Sequence, residues 1–355
     1  MKKLLKAATL GLTLTASTFA LADFDKVRWQ VPMGFPSSLT ALGDTMPEVA
    51  KMVSDMSGGK VVLKTFEPGK LIPSLGVFEN VSNGNIPAGY SWMGYEWGQI
   101  PASALFGATP FGLESQEFLA WMYHHGGDEM LKELFAPHNV YPILCGTISP
   151  EAAGWFREEM DSLDKFKGLK FRAAGVGGEI MSEFGMSVTL LPGGELYQAL
   201  ETGVLDATEF SMPIVDEQLG FYQVAKHYYL PGWHQPSTNQ YLYVNLDKWN
   251  GLNSQTQALI ENSCKAANTV ALAKAEALQG AVLKSFEEKG VQLHKYSPEI
   301  LNAFKEATDR VMARRSESDP MFDKVYSSMK AFQDEHRPWK NFGYLPRDFG
   351  VEDAE

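Results

Sequence analysis

Between Gly168 and Phe210 the chain alternates short apolar runs with helix-forming runs, and few folds accept that order. Residues 169–172 read as a strand, 178–184 as a helix, 187–191 as a strand, 194–202 as a helix and 205–210 as a strand. Gly185, Gly193, Gly194 and Gly203 punctuate these runs where helix ends and turns belong. Strands separated by single helices predict parallel crossovers, and so an α/β unit of the doubly wound kind. Ligands of such sheets sit beyond the carboxyl ends of the strands, where Arg172 and Glu209 both fall. Leu169 and Phe171 alternate with Lys170 and Arg172, so the two apolar residues are expected to face a core and the two basic ones are not. Arg172 followed by AAGVGG has the makings of an anion clamp. A guanidinium fork matches a carboxylate, and Gly175, Gly177 and Gly178 let backbone come close to whatever it holds.

An opening unit of the same kind precedes it. Val27–Val31 reads as a strand, Met46–Met56 as a helix and Lys60–Phe66 as a strand, with a short helix over Val77–Asn83. Tyr90–Trp97 packs aromatic residues and one acid into a loop-like stretch, which reads equally as a core cluster or as the aromatic wall of a ligand site. A helix around Gln116–Leu134 and a strand over Tyr141–Thr147 follow, and Ser149–Arg157 reads as a crossing between lobes. The last third is helical over Ser254–Lys289 and Pro298–Arg315, and an apolar stripe from Met321 to Phe332 begins just after Pro320. The expected division is residues 1–22 as a leader, 23–147 with about 238–275 as lobe I, and 148–237 with about 276–315 as lobe II. Residues 316–355 form a terminal helix and tail that packs on its own lobe or on a second subunit.

Lys2, Lys3 and Lys6, the apolar run to Leu21 and the Ala20-Leu21-Ala22 cleavage pattern predict a secretory signal peptide and a periplasmic mature chain. A net charge of −12 without basic clusters argues against nucleic acid and anionic membrane as partners. Cys145 and Cys264 are the only cysteines. They can pair in an oxidising compartment, although two scattered thiols more commonly serve as small buried hydrophobes.

The strings GLKFRAAGVGGEI, LPGGELYQALETGVLDATEF and GFYQVAKHYYLPGWHQP, with AGWFR, ATPFG, GGKVVLKTFEPGKL and VSNGNI upstream, resemble the solute receptors of tripartite ATP-independent periplasmic (TRAP) transporters. The similarity covers most of the mature chain and is strongest to the branch for 2-oxo acids, lactate, polyols and aromatic acids. The resemblance implies a two-lobe periplasmic binding fold with a hinge and long C-terminal helices. It implies that Arg172 grips a ligand carboxylate and that Na⁺ or Ca²⁺ bridges ligand and protein through Glu151, Glu209, the Phe210 backbone and Gln235, while Trp92 and Tyr95 contribute ring and hydroxyl contacts. Oxygen ligands suit such hard cations. Delivery to TRAP membrane permease subunits and dimers that exchange C-terminal helices are implied likewise. Three positions depart from the pattern. Glu151 stands where glutamine is usual, Phe210 replaces a frequent tryptophan, and Val215 replaces a ligand-contacting asparagine, which favours a bulkier or less polar acid than pyruvate.

Two competing readings remain. A neutral polyol such as mannitol would bond Arg172 through hydroxyls and need no cation. An exported enzyme would need a motif such as HExxH or GxSxG, and neither is present. His124–His125 and Glu158–Glu159 are adjacent pairs that point apart on a helix. As a free clamp, Arg172 is expected to be removable without cost to the unliganded fold.

Overall fold

The computed structural model describes residues 23–347 and 349. The expected signal peptide, residues 1–22, lies outside them, and no helix among the described residues is long and apolar enough to cross a membrane. Strand β1 (Val27–Pro32) buries Val27, Trp29 and Val31 and exposes Arg28 and Gln30. It pairs in parallel with β2 (Val61–Phe66), and the helix Thr45–Met56 connects them. A parallel bridge from Met33 to Tyr90 carries β1 onto β3 (Ala88–Trp92). The remaining strands are β4 (Val140–Ile148), β5 (Gly154–Phe156), β6 (Lys170–Arg172), β7 (Ser187–Thr189), β8 (Ala207–Thr208), β9 (His227–Leu230), β10 (Thr238–Asn245) and β11 (Gln292–Lys295).

These strands build two lobes. In the first, β10 lies antiparallel between β3 and β4. The second has the order β11-β9-β5-β8-β6-β7. There β6 runs parallel to β7 and β8, as strand–helix alternation requires, whereas β5 is antiparallel to both neighbours because it enters from the crossing and not from a helix of its own lobe. The chain passes between these two sheets three times, through 149–153, through 231–237 and along the helix Ser254–Glu288 that leads from β10 to β11.

Several elements differ from expectation for local reasons. Tyr90–Trp92 belongs to a strand: all five residues of β3 are buried, so both faces are covered and no alternation shows in the sequence. The helix over Gln116–Leu134 is two helices, Ser115–His124 and Gly127–Phe135, separated at Gly126, whose φ of 82° an L side chain rarely adopts. Arg172 is 2% exposed, so the expectation that it would face away from buried surroundings fails: the position beyond the strand end is roofed by the other lobe.

Alternate strand residues feed two cores on opposite sheet faces. Leu242 and Val244 of β10 and Trp155 of β5 join Leu259, Ala267, Ala271 and Phe286 of the helix Ser254–Glu288. Tyr241, Tyr243 and Phe156 join Phe304 and Val311 of the helix Pro298–Ser318 and Phe322, Val325 and Phe332 of the helix Pro320–Phe342. Both cores draw on both sheets. The last helix folds back over its own first lobe, where the Trp121 indole donates to Ser328 Oγ and Gln333 Nε2 donates to the carbonyls of Phe111 and Gly112.

Cys145 of β4 and Cys264 of the long helix form a disulfide inside the first of these cores. The preference for two buried free thiols is therefore corrected: both side chains are buried as expected, but on facing elements with Cα atoms 4.2 Å apart. The cross-link closes a separation of 119 residues, for which chain entropy gives about 4–5 kcal/mol of stabilisation. Reduction, or the paired change Cys145→Ser with Cys264→Ser, should lower the unfolding free energy by that order in a guanidinium titration; an unchanged midpoint would show that the bridge contributes nothing.

Candidate ligand and cation site between the lobes

The centre of the site is assembled from the ends of two neighbouring strands. Arg172 closes β6, Glu209 follows β8, and the Glu209 N–H donates to the Arg172 carbonyl at 3.1 Å. Arg172 Nη1 returns two bonds, to the Glu209 carbonyl at 3.0 Å and to Glu209 Oε1 at 2.7 Å, and Arg172 Nε donates to the Leu191 carbonyl at 3.1 Å. Both side chains are 2% exposed. Nη2 donates to no carbonyl or carboxylate among the described residues, so two N–H groups of the fork remain for another acceptor. The Ala174 N–H reaches Glu209 Oε1 at 3.1 Å, and His234 Nε2 and Gln235 Nε2 each lie 3.4 Å from Glu209 Oε2. Burial pushes the Glu209 carboxyl up, but Arg172, His234 and the Ala174 N–H together outweigh it and hold the group below the usual range.

The first two crossing segments bring the remaining groups. The Glu151 N–H donates to the Gln235 carbonyl at 3.2 Å, and the Gly232 N–H donates to the Glu151 carbonyl at 2.8 Å. A Cβ at Gly232 would stand 2.4 Å from that carbonyl oxygen, so only glycine lets these backbones meet. Glu151 Oε2 is cut off from solvent and has no hydrogen-bond partner among the described residues. Burial, and next the Glu209 charge, push the Glu151 carboxyl well up. One ligand atom from each of Glu151, Glu209 and His234 falls in a cluster no wider than 4.8 Å.

Arg172, Glu151, Trp92, Tyr95, Phe210 and Gln235, the ligand-contact residues expected from sequence, all line one narrow chamber, and Glu209 sits behind Arg172. Trp92 and Tyr95 meet edge to face at 5.2 Å, and the Arg172 guanidinium lies 5.2 Å from the centre of the Phe210 ring. Burial raises the Tyr95 phenol to about 12 against the opposing pull of Arg172. One end of the chamber thus offers a donor fork, another offers an unmatched carboxylate oxygen, and aromatic faces close the rest.

Residues 35–319 match the bacterial extracellular solute-binding protein family 7, DctP. The chain belongs to this family. A monocarboxylate 2-oxoacid-binding periplasmic protein of Nostoc sp. is 34% identical over 339 residues, 95% of this chain and 93% of that one. Among solved structures, a TRAP transporter solute-binding protein of Bordetella bronchiseptica with copurified calcium and picolinate is 30% identical with a TM-score of 0.87, covering 89% of this chain and 94% of its own. A TRAP periplasmic solute-binding protein of Pseudoalteromonas atlantica with bound sodium and pyruvate is 30% identical with a TM-score of 0.86, covering 90% and 97%.

In this member of the DctP family, Val215 is fully buried in the core and absent from the chamber wall. Its departure from asparagine therefore says nothing about ligand size here. Sequence reading missed Phe35, Leu42, Ala174 and Thr238 in the wall and His234 in the carboxylate cluster. Phe35 and Leu42 follow the carboxyl end of β1, so the rule that pointed to Arg172 would have found them too.

The expectation that Arg172 is free of structural duty also changes, since three of its donors already serve the fold. Arg172→Ala leaves the Glu209 carboxylate buried without its partner, which should cost the unliganded protein about 3–5 kcal/mol. Adding Glu209→Gln to that variant should recover part of the loss in urea unfolding; equal stability of wild type and Arg172→Ala would show that the pair does not support the fold.

Proposed function

We propose that this chain is the periplasmic receptor of a TRAP transporter that captures a small monocarboxylate bearing an oxygen next to the carboxylate, together with Ca²⁺. The observation that carries the reading is the pairing, in one enclosed chamber, of free Arg172 donors with the unpartnered Glu151 Oε2. Arg172 takes the ligand carboxylate. Glu151, Glu209, the Phe210 carbonyl and the Gln235 side-chain oxygen take the cation, which the ligand's own oxygens complete. Trp92 and Tyr95 close the chamber over the acid, with Phe210 on the opposite wall.

Charge balance selects the cation. Two carboxylates, one guanidinium and one anionic ligand sum to −2, which a divalent ion neutralises and a monovalent ion does not. Calcium–oxygen distances of about 2.3–2.6 Å allow ligands up to roughly 5 Å apart, and carboxylate oxygens of Glu151 and Glu209 lie within 4.8 Å of each other. Relatives with these names bind 2-oxo acids, picolinate with calcium, and pyruvate with sodium.

We assign residues 1–22 as the export signal, the lobe boundaries to 147/148 and 237/238, and the membrane permease subunits as the delivery partner. The ligand leaves unchanged, as in a family of solute-binding proteins. Phe342 is 92% exposed, and Trp339, Tyr344 and Leu345 are exposed beside it, which supports a homodimer joined through the C-terminal helix and tail. Light scattering should give twice the chain mass, falling to one chain after truncation at Pro338; a single-chain mass for the intact protein would rule the dimer out.

The test of the ligand is a thermal-shift series with pyruvate, lactate, picolinate and mannitol, each with Ca²⁺, with Na⁺ and after chelation. Pyruvate with Ca²⁺ should give the largest shift, and Glu151→Gln should weaken Ca²⁺ at least tenfold while retaining Na⁺. A mannitol shift that survives chelation, or turnover of the bound acid, would overturn the reading.

A further inference from the structure

Asp216 is a carboxylic acid in the wrong place for a solvated residue. It is 1% exposed, sits in the helix Pro213–Leu219, and is no part of the chamber wall. Its Oδ2 accepts from two side chains of neighbouring strands, the Trp155 indole of β5 at 2.9 Å and the Tyr228 hydroxyl of β9 at 2.9 Å, whose rings stack 4.0 Å apart. Its Oδ1 accepts the backbone N–H of Ser211 at 3.2 Å. A neutral core residue would fill this space without needing three donors, so the carboxylate has a task that shape alone does not explain.

The third bond indicates that task. The Ser211 N–H belongs to the same planar peptide unit as the Phe210 carbonyl, and in a trans peptide the two point in opposite directions. Holding the N–H against Oδ1 therefore fixes where the Phe210 carbonyl points. The next carbonyl along, that of Ser211, accepts the Ala152 N–H at 3.1 Å, so the turn that carries Phe210 is tied on its far side to the residue following Glu151. One carboxylate thus links both strands that flank the crossings to the backbone between Glu209 and Ser211.

We propose that Asp216 is the positioning residue of the cation site: it aims the Phe210 carbonyl and holds the Glu209–Ser211 turn in register with Glu151. This rests on the reading of Phe210 and Glu151 as cation ligands given above, but the hydrogen-bond tie itself does not. The bidentate geometry requires a carboxylate. Asp216→Leu, close in size, leaves no acceptor for the Ser211 N–H in any rotamer. Tyr228→Phe removes a bond to the same side chain and leaves the Ser211 tie intact, which makes it the matched structural control.

Two measurements on the full protein separate positioning from stability. Hydrogen exchange at the Ser211 amide, without ligand, reads the tie directly; calcium titration in the presence of pyruvate, below the melting range of each variant, reads its consequence. Asp216→Leu should speed Ser211 exchange at least tenfold and weaken calcium at least tenfold, whereas Tyr228→Phe should change either by no more than about threefold. Protected Ser211 exchange in Asp216→Leu overturns the proposal whatever the protein binds. Equal calcium loss in both variants overturns it as well, by showing that lost stability and not aim is responsible. If wild type fails to bind calcium with pyruvate, the cation reading falls and the positioning role with it, while the exchange result still reports whether the tie exists.

Discussion

A guanidinium and a carboxylate that have both left water must find each other, and most of the interlobe architecture follows from the way Arg172 and Glu209 do so. Each is 2% exposed, and either one alone would cost several kcal/mol in that position. The pair is stitched by side chain and backbone together, since Glu209 donates its N–H to the Arg172 carbonyl and receives Nη1 at its own. That reciprocity holds the ends of β6 and β8 in step. It also leaves the two N–H groups of Nη2 uncommitted, so the same residue supports the fold and remains able to bind an anion.

The backbone order was legible because strands that alternate with helices have little choice of topology. The parallel β8-β6-β7 set, the helices around it and the parallel pair β1 and β2 all follow from apolar period and glycine punctuation. What periodicity cannot show is a strand covered on both faces: β3 carries no alternating signal because Ala88 to Trp92 are all buried. Nor can it show what a second lobe covers. Leu169–Arg172 alternates as a half-exposed strand should, and Lys170 does reach solvent, but the crevice that would have wetted Arg172 is closed by the first lobe.

The candidate site was legible by a different route. Chemistry at a strand end singled out Arg172, and resemblance supplied Glu151, Glu209, Phe210 and Gln235, residues from distant stretches that no local pattern connects. Cys145 and Cys264 show the same limit from the other side. Spacing gives no hint that a strand of one segment and a helix 119 positions later bring two sulfurs together, and only the packed core decides it. Val215 shows that aligned position is not the same as contact, since the helix it sits on turns its side chain into the core.

Three fully buried carboxylates take on distinct duties. Glu209 is matched by a permanent positive charge, so it is ionised before anything binds. Asp216 is matched by three neutral donors, which fix its direction but supply no full charge. Glu151 is matched by neither: one of its oxygens is buried without a donor, and its neighbour Glu209 repels the charge it would carry. A fold that needed only stability would place an amide there, whose NH₂ could donate to Glu209. Retaining a second acid beside the first makes sense when a cation arrives with the ligand, because a divalent ion between the two acids offsets their mutual repulsion and gives the ligand's own oxygens a point of attachment.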